Sequence, residues 1–315
     1  MKLFIKKFFF YFIALYSCFL LLVIGSSILV RNKMAKRGRG IVIDKNNLLS
    51  KTTSPKVILM GGSNVCYGIN SALLQDSLHM PVIDMAINAD VGMMFYYNQV
   101  KPYINKGDIV IGIPEYAAYA EYKLYGDVSM YQLCVVQPSN MRFLSKEQWL
   151  RFPRFAGDIV KENYNAFTSD ANSDVANGRK FYNSFGDYEG HKDKPTGLSI
   201  SKPIANKNKT DWSISPSLIS MIKMFSVFCN QKGAVYLHSY PVFLRSSYKQ
   251  DWGNKIEKQF QDIHLLNRPD EYLFSGDSLY DSDNHMLYKY RNTRTERLAK
   301  NVKFFLQNQG LNGEQ

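Results

Sequence analysis

The chain has 315 residues, of which 45% are hydrophobic and 21% are charged, and its formal net charge is +12. This composition excludes an intrinsically disordered protein, and the length suffices for one large domain or two small ones. The four cysteines form no CxxC pair and no Cys/His cluster, so neither a disulfide framework nor a zinc site is expected. We therefore expect a folded protein that needs no metal and no other cofactor.

The first element of the chain is a long apolar segment. Residues 1–7 form a basic tail with three lysines, and residues 8–30 carry no charge. As a helix, the second stretch would be about 35 Å long, enough to cross a hydrocarbon core of about 30 Å. Ser26-Ser27 is a poor signal-peptidase site and apolar residues follow it, so we predict an uncleaved single-pass transmembrane anchor. A buried core helix is the alternative.

Residues 31–54 are polar and basic and are interpreted as a juxtamembrane linker. Its basic residues outnumber the three lysines before the span, and this difference slightly favours a cytoplasmic C-terminal domain. They are Arg31, Lys33, Lys36, Arg37 and Arg39. The charge of the whole chain also raises nucleic acid as a partner, but no helix-turn-helix, zinc-finger or RNP-like pattern is present. A solvated basic surface near lipid headgroups is the favoured interpretation.

From residue 55 onward, apolar strands alternate with helices. Strands are predicted at 56–60, 81–87, 109–113 and 233–237, and helices at 70–78, 92–104, 216–231, 251–263 and around 298–306. The pattern predicts an α/β domain over residues 55–315, with a parallel sheet between helices on both faces, that is, three layers. Residues 117–214 interrupt it and are interpreted as a helical and loop insertion that caps or flanks a site.

In open α/β sheets, sites lie beyond the carboxyl ends of the strands. After the first strand comes Gly61-Gly62-Ser63-Asn64, where the glycines allow a tight turn. Ser63 would lie at a helix N-terminus, where backbone N–H groups favour a developing oxyanion, so it is a candidate nucleophile. The simpler alternative is that Ser63 or Asn64 only caps the helix.

The residues that could activate Ser63 lie far along the chain. The stretch LYDSDNHM, residues 279–286, places Asp281 and Asp283 shortly before His285. A serine is a poor nucleophile until a base takes its proton, and histidine titrates in the right range. A carboxylate then holds the imidazole in the required tautomer. The alternative is a surface or packing histidine.

Together, these segments resemble the SGNH (GDSL-like) hydrolase superfamily, and more closely its membrane-anchored branch associated with cell-envelope polysaccharide and teichoic-acid acylation. The resemblance covers residues 56–116 and 233–310. The family's G-D-S block is matched by Gly61-Gly62-Ser63, with glycine in place of the aspartate. The family's last block is D-x-x-H, and the D-x-x-x-H spacing of the envelope branch favours Asp281 over Asp283 as the partner of His285.

Two further blocks of the family supply the oxyanion hole. The second is matched by DMAINAD, residues 84–90, with Ala89 where a glycine is usual. The resemblance implies that the Ser63 and Ala89 amides form the hole and that Asn88 adds a side-chain donor. The third block, G-x-N-D, is GIPEY here, so Pro114 replaces the asparagine donor. Further residues expected to line the site are Asn64, Glu115, Tyr116, Asp283 and His238.

Two of the remaining candidates have simpler interpretations. His238 follows the fourth strand and could line the site, but a structural histidine is favoured. Cys66 lies three residues after Ser63 and could be a redox thiol, but a small buried residue is favoured.

The resemblance implies a Ser-His-Asp esterase or O-acyltransferase that acts on acyl esters, such as acetyl esters, of cell-envelope glycans through an acyl-enzyme. It further implies an anchor in the cell (inner) membrane, an extracytoplasmic domain and a polytopic membrane O-acyltransferase as partner. The main alternative is a non-catalytic protein that binds glycan or scaffolds an envelope assembly. A cytoplasmic protein that binds nucleic acid or anionic lipid rests on charge alone.

Overall fold

The structure is a computed structural model that describes residues 2–119, 121–169, 178–193 and 214–309. Its helices are α1 (Lys2–Met34), α2 (Ile41–Lys51), α3 (Ser63–Gly68), α4 (Ser71–Leu78), α5 (Met93–Val100), α6 (Glu121–Leu124), α7 (Val128–Val136), α8 (Lys146–Thr168), α9 (Pro216–Gln231), α10 (Gln250–Gln259) and α11 (Arg291–Asn308). Its strands are β1 (Val57–Gly61), β2 (Val82–Asp84), β3 (Ile109–Ile113), β4 (Val235–His238), β5 (Phe243–Leu244), β6 (His264–Leu265) and β7 (Leu273–Phe274).

Five strands form one parallel sheet in the order β2-β1-β3-β4-β6, and β5 pairs with β7 separately. β1 and β3 are fully buried, which is why they read as continuous apolar runs in the sequence. In register, Val57 of β1 lies opposite Val82 of β2 and Ile109 of β3. After β1, the chain forms β2 at one edge of the sheet and then crosses back to form β3 on the other side of β1. A topological switch point therefore lies between β1 and β3, where such sheets place their ligands.

Alternate side chains of the strands pack into two separate hydrophobic clusters. Ile58 and Met60 of β1 belong to a cluster that includes residues of α2, α5, α7 and α9. Val57 and Leu59 belong to a second cluster with residues of α3, α4 and α11. The alternation follows from the two-residue period of a strand. The α/β class and the parallel sheet predicted from the sequence are confirmed.

The element boundaries differ from the predicted ones in places. β1 and β4 lie within two residues of the prediction, β3 matches it, and β2 is shorter because the chain turns away after Asp84. The two-residue strands β5, β6 and β7 were not predicted, since so short a run has no detectable periodicity. Asn70 is the N-cap of α4, and its side chain accepts a hydrogen bond from Leu73 N at 3.2 Å.

The apolar N-terminal segment is a single helix, α1, that extends beyond the predicted anchor at both ends. Its stretch Phe4–Met34 is long and apolar enough to cross a membrane, and 11% of its most apolar window is buried in the protein. Its last turns pack against α8. Asn163 Nδ2 donates to Ser26 Oγ at 3.1 Å and to Ser27 Oγ at 3.0 Å, and Lys33 Nζ donates to the Phe167 carbonyl at 2.8 Å.

The prediction of a juxtamembrane linker over residues 31–54 was wrong. Residues 31–34 continue α1, and α2 buries Val42 and Leu49 in the first hydrophobic cluster. The fully buried Lys45 donates to the carbonyl oxygens of Asp84 and Gly186 at 2.7 and 2.8 Å. Six of the eleven residues of α2 are polar, including the buried Lys45 and Asn46, and this composition concealed the apolar face of the helix in the sequence.

The predicted insertion, residues 117–214, contains α6, α7 and α8 in its first half. Residues 178–193 pack against the edge of the sheet, since Asp84 N donates to the Phe185 carbonyl at 3.0 Å and Tyr188 N to the Cys66 carbonyl at 2.9 Å. Residues 120, 170–177 and 194–213 of this region lie outside the described residues.

A buried ion pair joins the starts of the two central strands. Asp108, before β3, accepts hydrogen bonds from Lys56 N at 3.0 Å, Lys56 Nζ at 2.9 Å and Asn105 N at 2.9 Å. Lys56 and Asp108 are each 1% exposed. Removing one partner of such a pair leaves an uncompensated buried charge.

We expect Asp108→Ala to lower the free energy of unfolding by about 3–5 kcal/mol, because it leaves the buried Lys56 ammonium without its carboxylate partner. Denaturant unfolding of the detergent-solubilised chain measures this change. The control is Asp262→Ala, which breaks an exposed pair with Lys223 and should change stability by less than about 1 kcal/mol. Equal losses in the two variants would contradict the assignment.

Candidate active site

The ends of three adjacent strands meet at the switch point of the sheet. Ser63 follows β1, Asn88 follows β2 and Glu115 follows β3. A pocket of about 490 Å³ opens there. It is lined by Met34, Arg37, Gly38, Arg39, Ser63, Tyr67, Ile87, Asn88, Glu162, Ala166, Tyr182 and His285. The topology of the sheet thus brings together residues that are far apart in the sequence.

The turn before Ser63 depends on Gly62, which is the extended N-cap residue of α3. A Cβ atom at this position would lie 2.3 Å from Glu115 Oε1 and 3.0 Å from the Ala89 amide nitrogen. Glycine is therefore required because a side chain and a backbone amide approach closely from two other strand ends. The Ala89 amide nitrogen therefore lies beside Gly62, the residue before Ser63.

Ser63, His285 and Asp281 form a hydrogen-bonded chain. His285 Nε2 lies 2.7 Å from Ser63 Oγ, and His285 Nδ1 lies 2.6 Å from Asp281 Oδ1. Both distances are in the range of strong hydrogen bonds, and the two ring nitrogens face opposite partners. Of the two acids left open by the sequence, Asp281 is the one that contacts the imidazole. This is the arrangement in which a histidine takes a proton from a serine.

The imidazole of His285 is held on its face by an aromatic stack. The Tyr67 ring lies 4.3 Å from it with an interplanar angle of 11°, and Tyr188 lies 4.5 Å from Tyr67 on the segment 178–193. Tyr67 was not among the candidates from the sequence. It lies four residues after Ser63, one turn along α3, so helical spacing was a signal that could have found it.

Glu115 also contacts the serine. The Ser63 hydroxyl donates to Glu115 Oε1 at 3.1 Å, and the Asn64 backbone N–H donates to the same oxygen at 3.1 Å. A hydroxyl carries one hydrogen, so Glu115 and His285 compete for it. Transfer of the proton to His285 therefore requires the hydroxyl to turn from the carboxylate to the imidazole.

The second predicted oxyanion segment forms a rigid turn. The Tyr96 hydroxyl accepts from the amides of Ile87 and Asn88 at 3.0 and 3.1 Å and donates to the Asn88 carbonyl at 2.9 Å. Asn88 Oδ1 accepts from Val91 N at 3.1 Å, which orients the side-chain amide nitrogen of this pocket residue. The following residue, Ala89, supplies the amide that lies beside Gly62.

Two residues expected to line the site do not. Asn64 is fully buried, and its side chain donates to the Ile113 carbonyl at 3.2 Å and accepts from Arg294 at 3.0 Å. Tyr116 is buried in an aromatic cluster with Tyr248 and Trp252 and does not border the pocket. In both cases the residue follows a strand end, but its side chain points into the core.

His238 is also buried away from the pocket, so its predicted place in the lining was wrong and the structural interpretation holds. Its ring contacts the hydroxyls of Tyr119 at 2.6 Å and Tyr236 at 3.2 Å. Burial lowers the pKa of His238 to about 3. Asp283 does not border the pocket either. Burial, followed by the negative charge of Glu115, raises the pKa of its carboxyl.

Cys66 is a buried residue of α3, as its favoured interpretation predicts. Its Sγ lies 3.5 Å from the Ser63 carbonyl and 3.6 Å from the Ile87 carbonyl. Burial raises the pKa of this thiol far above its ordinary value, so the reactive thiolate is disfavoured.

Several pocket residues come from segments in which the sequence showed no motif. Arg39 contacts Glu162 of α8 at 3.7 Å and Ser129 Oγ at 3.3 Å, and Arg37 donates to Ser169 Oγ at 2.5 Å. The two arginines flank Gly38 just after the apolar helix. That placement close to a predicted membrane surface was the signal available in the sequence.

Within the four described ranges, no group of three or more His, Cys, Asp or Glu side chains is arranged to hold a metal ion. Comparison of the chain with protein-family models, with curated proteins and with solved structures finds no match. The assignment of function therefore depends on the site geometry and on the motifs in the sequence.

The burial of His238 predicts a pH dependence of stability. The unfolded chain binds a proton at this histidine near pH 6.5, whereas the folded protein does so only near pH 3, so stability falls as the pH falls below about 6.5. The slope from this residue approaches about 1.4 kcal/mol per pH unit. His238→Asn should remove it from the free energy of unfolding measured by denaturant between pH 7 and pH 5.

The control for this measurement is His79→Asn, because His79 is exposed on the surface. It should retain the slope of the wild-type chain. An unchanged slope in His238→Asn would show that the buried ring does not resist protonation.

Proposed function

We propose that this protein is a membrane-anchored serine esterase or O-acyltransferase of the SGNH type that acts on acyl esters of cell-envelope glycans. The observation that carries the proposal is the contact of His285 with Ser63 at 2.7 Å and with Asp281 at 2.6 Å. The parallel sheet with helix residues in both of its hydrophobic clusters agrees with the three-layer fold of that family.

In the proposed reaction, Ser63 Oγ attacks the acyl carbonyl while His285 Nε2 takes the hydroxyl proton. Asp281 accepts from Nδ1–H, which fixes the tautomer and stabilises the imidazolium. The backbone amides of Ser63 and Ala89 stabilise the oxyanion, with Asn88 as an added donor. The leaving alcohol takes the proton from His285, and an acyl-serine remains.

The second half of the reaction decides between the two activities. His285 removes a proton from the acceptor, which attacks the acyl-serine and releases Ser63. Water as acceptor gives an esterase, and a sugar hydroxyl gives an O-acyltransferase. The structure favours neither acceptor, because both need only access to the same side of the ester.

The character of the pocket supports a sugar-bearing substrate. Tyr67 and Tyr182 contribute aromatic side chains to the lining, and Asn88, Arg39 and Glu162 supply donors and acceptors for hydroxyl groups. At about 490 Å³, the pocket has room for a sugar unit with its acyl group. The acyl donor or the acylated glycan, and a polytopic membrane O-acyltransferase, are the partners that we infer from the resemblance.

We also infer that α1 is a retained anchor in the cell (inner) membrane and not a cleaved signal sequence. Its Ser26 and Ser27 bond to Asn163, and Val30 and Met34 belong to the first hydrophobic cluster, so removal of α1 would open the core. We place the domain on the extracytoplasmic side. Support comes from the resemblance and from the engagement of basic residues such as Arg37 and Arg39 in the fold, as described above.

A non-catalytic glycan-binding protein is the second candidate, and Glu115 is the observation that favours it. Its carboxylate lies 3.1 Å from Ser63 Oγ, following the proline that replaces the donor asparagine of the family. A negative charge at this position opposes a developing oxyanion. It also competes with His285 for the hydroxyl proton.

Labelling by a fluorophosphonate probe tests the proposed nucleophile. We expect the full-length protein to be labelled covalently and Ser63→Ala to lose the label entirely, because the hydroxyl is the attacking group. Ser239→Ala is the control, since its buried hydroxyl bonds to Asn267 outside the pocket. A folded chain that binds glycan and yet resists labelling would support the second candidate.

Hydrolysis of p-nitrophenyl acetate tests the orienting acid. We expect Asp281→Asn to lower kcat by a factor of roughly 10² to 10⁴, because the imidazole would lose the partner that fixes its tautomer. Asp283→Asn should retain kcat within about tenfold, because Asp283 makes no contact with the imidazole among the hydrogen bonds of the described residues. The reverse order of effects would transfer the orienting role to Asp283.

A further inference from the structure

The pocket that contains Ser63 carries more positive than negative side chains. Arg37 and Arg39 line it with guanidinium groups, and Glu162 is the one carboxylate among the described residues that border it. Arginine presents five N–H donors in a rigid fork, a geometry that matches two oxygens of a carboxylate or a phosphate. This part of the lining therefore suits an anionic group of a ligand.

Most of the donors of Arg39 are not used within the protein. One terminal nitrogen, Nη2, donates to Ser129 Oγ at 3.3 Å. The other, Nη1, lies 3.7 Å from Glu162 Oε2, which is too long for a hydrogen bond. Within the described ranges the Arg39 side chain has no other polar contact, and it is 31% exposed. A half-buried guanidinium with unused N–H groups beside a pocket is suited to bind an anion.

Glu162 neutralises this charge only in part. Its carboxylate is 38% exposed, and an ion pair at 3.7 Å between groups this exposed is weak because water screens it. An anion of the ligand can therefore take the place of Glu162 beside Arg39. The carboxylates of Glu115 and Asp281, which contact the serine and the histidine of the site, do not border the pocket.

The two arginines are held by a tight turn. It comprises residues 35–40, between α1 and α2, and Gly40 N donates to the Arg37 carbonyl at 2.8 Å. A Cβ atom at Gly40 would collide with the Ala35 carbonyl, so the turn closes without room for a side chain there. Because the backbone around Arg37 and Arg39 is held in place, less conformational entropy is lost when their side chains bind a ligand.

The size of the pocket limits the distance between the anion and the ester. Arg39 and Ser63 border one pocket of about 490 Å³, and a sphere of that volume is about 10 Å across. A sugar unit with its substituents bridges a distance of this order. The anion that contacts Arg39 therefore belongs to the acylated sugar or to its direct neighbour in the glycan.

We propose that Arg39, together with Arg37, binds an anionic group of the substrate, so that the glycan carries a carboxylate or a phosphate close to its acyl ester. The anion replaces Glu162 as the partner of Arg39 and accepts from its unused N–H groups. This contact orients the sugar ring and so positions the ester at Ser63. The acylated glycan as ligand rests on the proposed function, but recognition of the charge does not require attack by Ser63.

Binding of three matched probes to the detergent-solubilised full chain tests the recognition of charge. The probes are methyl 3-O-acetylgalactosides that carry a hydroxyl, a carboxylate or a phosphate at C6, and Ser63→Ala keeps them from being cleaved. We expect titration calorimetry to show that at least one charged probe binds about 10- to 100-fold more tightly than the neutral probe. Which charged probe binds more tightly distinguishes a carboxylate from a phosphate as the natural anion.

Two substitutions in the same background should shift this preference in opposite directions. Arg39→Gln should abolish it, because the amide carries no charge. Glu162→Gln should tighten the binding of the charged probes by about two- to fivefold, because it removes a competing carboxylate. Arg268→Gln is the control, since Arg268 is exposed and pairs with Asp270 outside the pocket, and it should leave all three affinities unchanged.

Equal or unmeasurable affinities for the three probes would overturn the proposal, as would a preference that survives in Arg39→Gln. The outcome is separate from the labelling of Ser63 by the fluorophosphonate. A protein that resists the label and still prefers a charged probe would refute the esterase and leave the recognition of the anion standing. A labelled protein without the preference would retain the esterase and refute the anion site.

Discussion

The arrangement of the site depends on two buried arginines in the first turn of α11. Arg291 donates to the Ile69 carbonyl at 2.6 Å and to Asp187 at 3.1 Å, and Arg294 donates to the carbonyl and side-chain oxygens of Asn64. A buried guanidinium without acceptors would cost several kcal/mol, so α11 can dock only where α3 presents these oxygens. The loop before α11 carries His285, and this docking brings it to Ser63 from 222 residues away.

The segment 178–193 stabilises the same arrangement from the opposite side. Asp187 accepts from Arg291 and from the amide and hydroxyl of Ser71, so it links α11 to the start of α4. The next residue, Tyr188, packs against Tyr67, which in turn stacks on His285. The region that interrupts the α/β pattern in the sequence is therefore part of the support of the site.

The sequence was most informative where the chemistry is local. Ser63 and the loop of Asp281 and His285 could be predicted because each lies in a short motif. The carboxyl ends of parallel strands also meet at the same edge of the sheet, where a site is expected. The orientation of side chains at those ends could not be predicted. The side chains of Asn64 and Tyr116 face inward because contacts with distant residues, such as Arg294, fix their orientation. The pocket arginines were assigned to a linker because residues 31–54 are polar and basic and contain Gly38 and Gly40.

The bonds between α1 and α8 mean that this protein has no simple boundary between its apolar helix and its domain. In a tethered enzyme, the chain can be cut in the linker and the domain remains folded. Here a cut after residue 34 would leave the Asn163 amide without its serine partners and would expose the apolar side of α8. A cut after residue 54 would also remove Lys45 from the buried Asp84. The domain that carries the site thus begins inside the apolar helix itself.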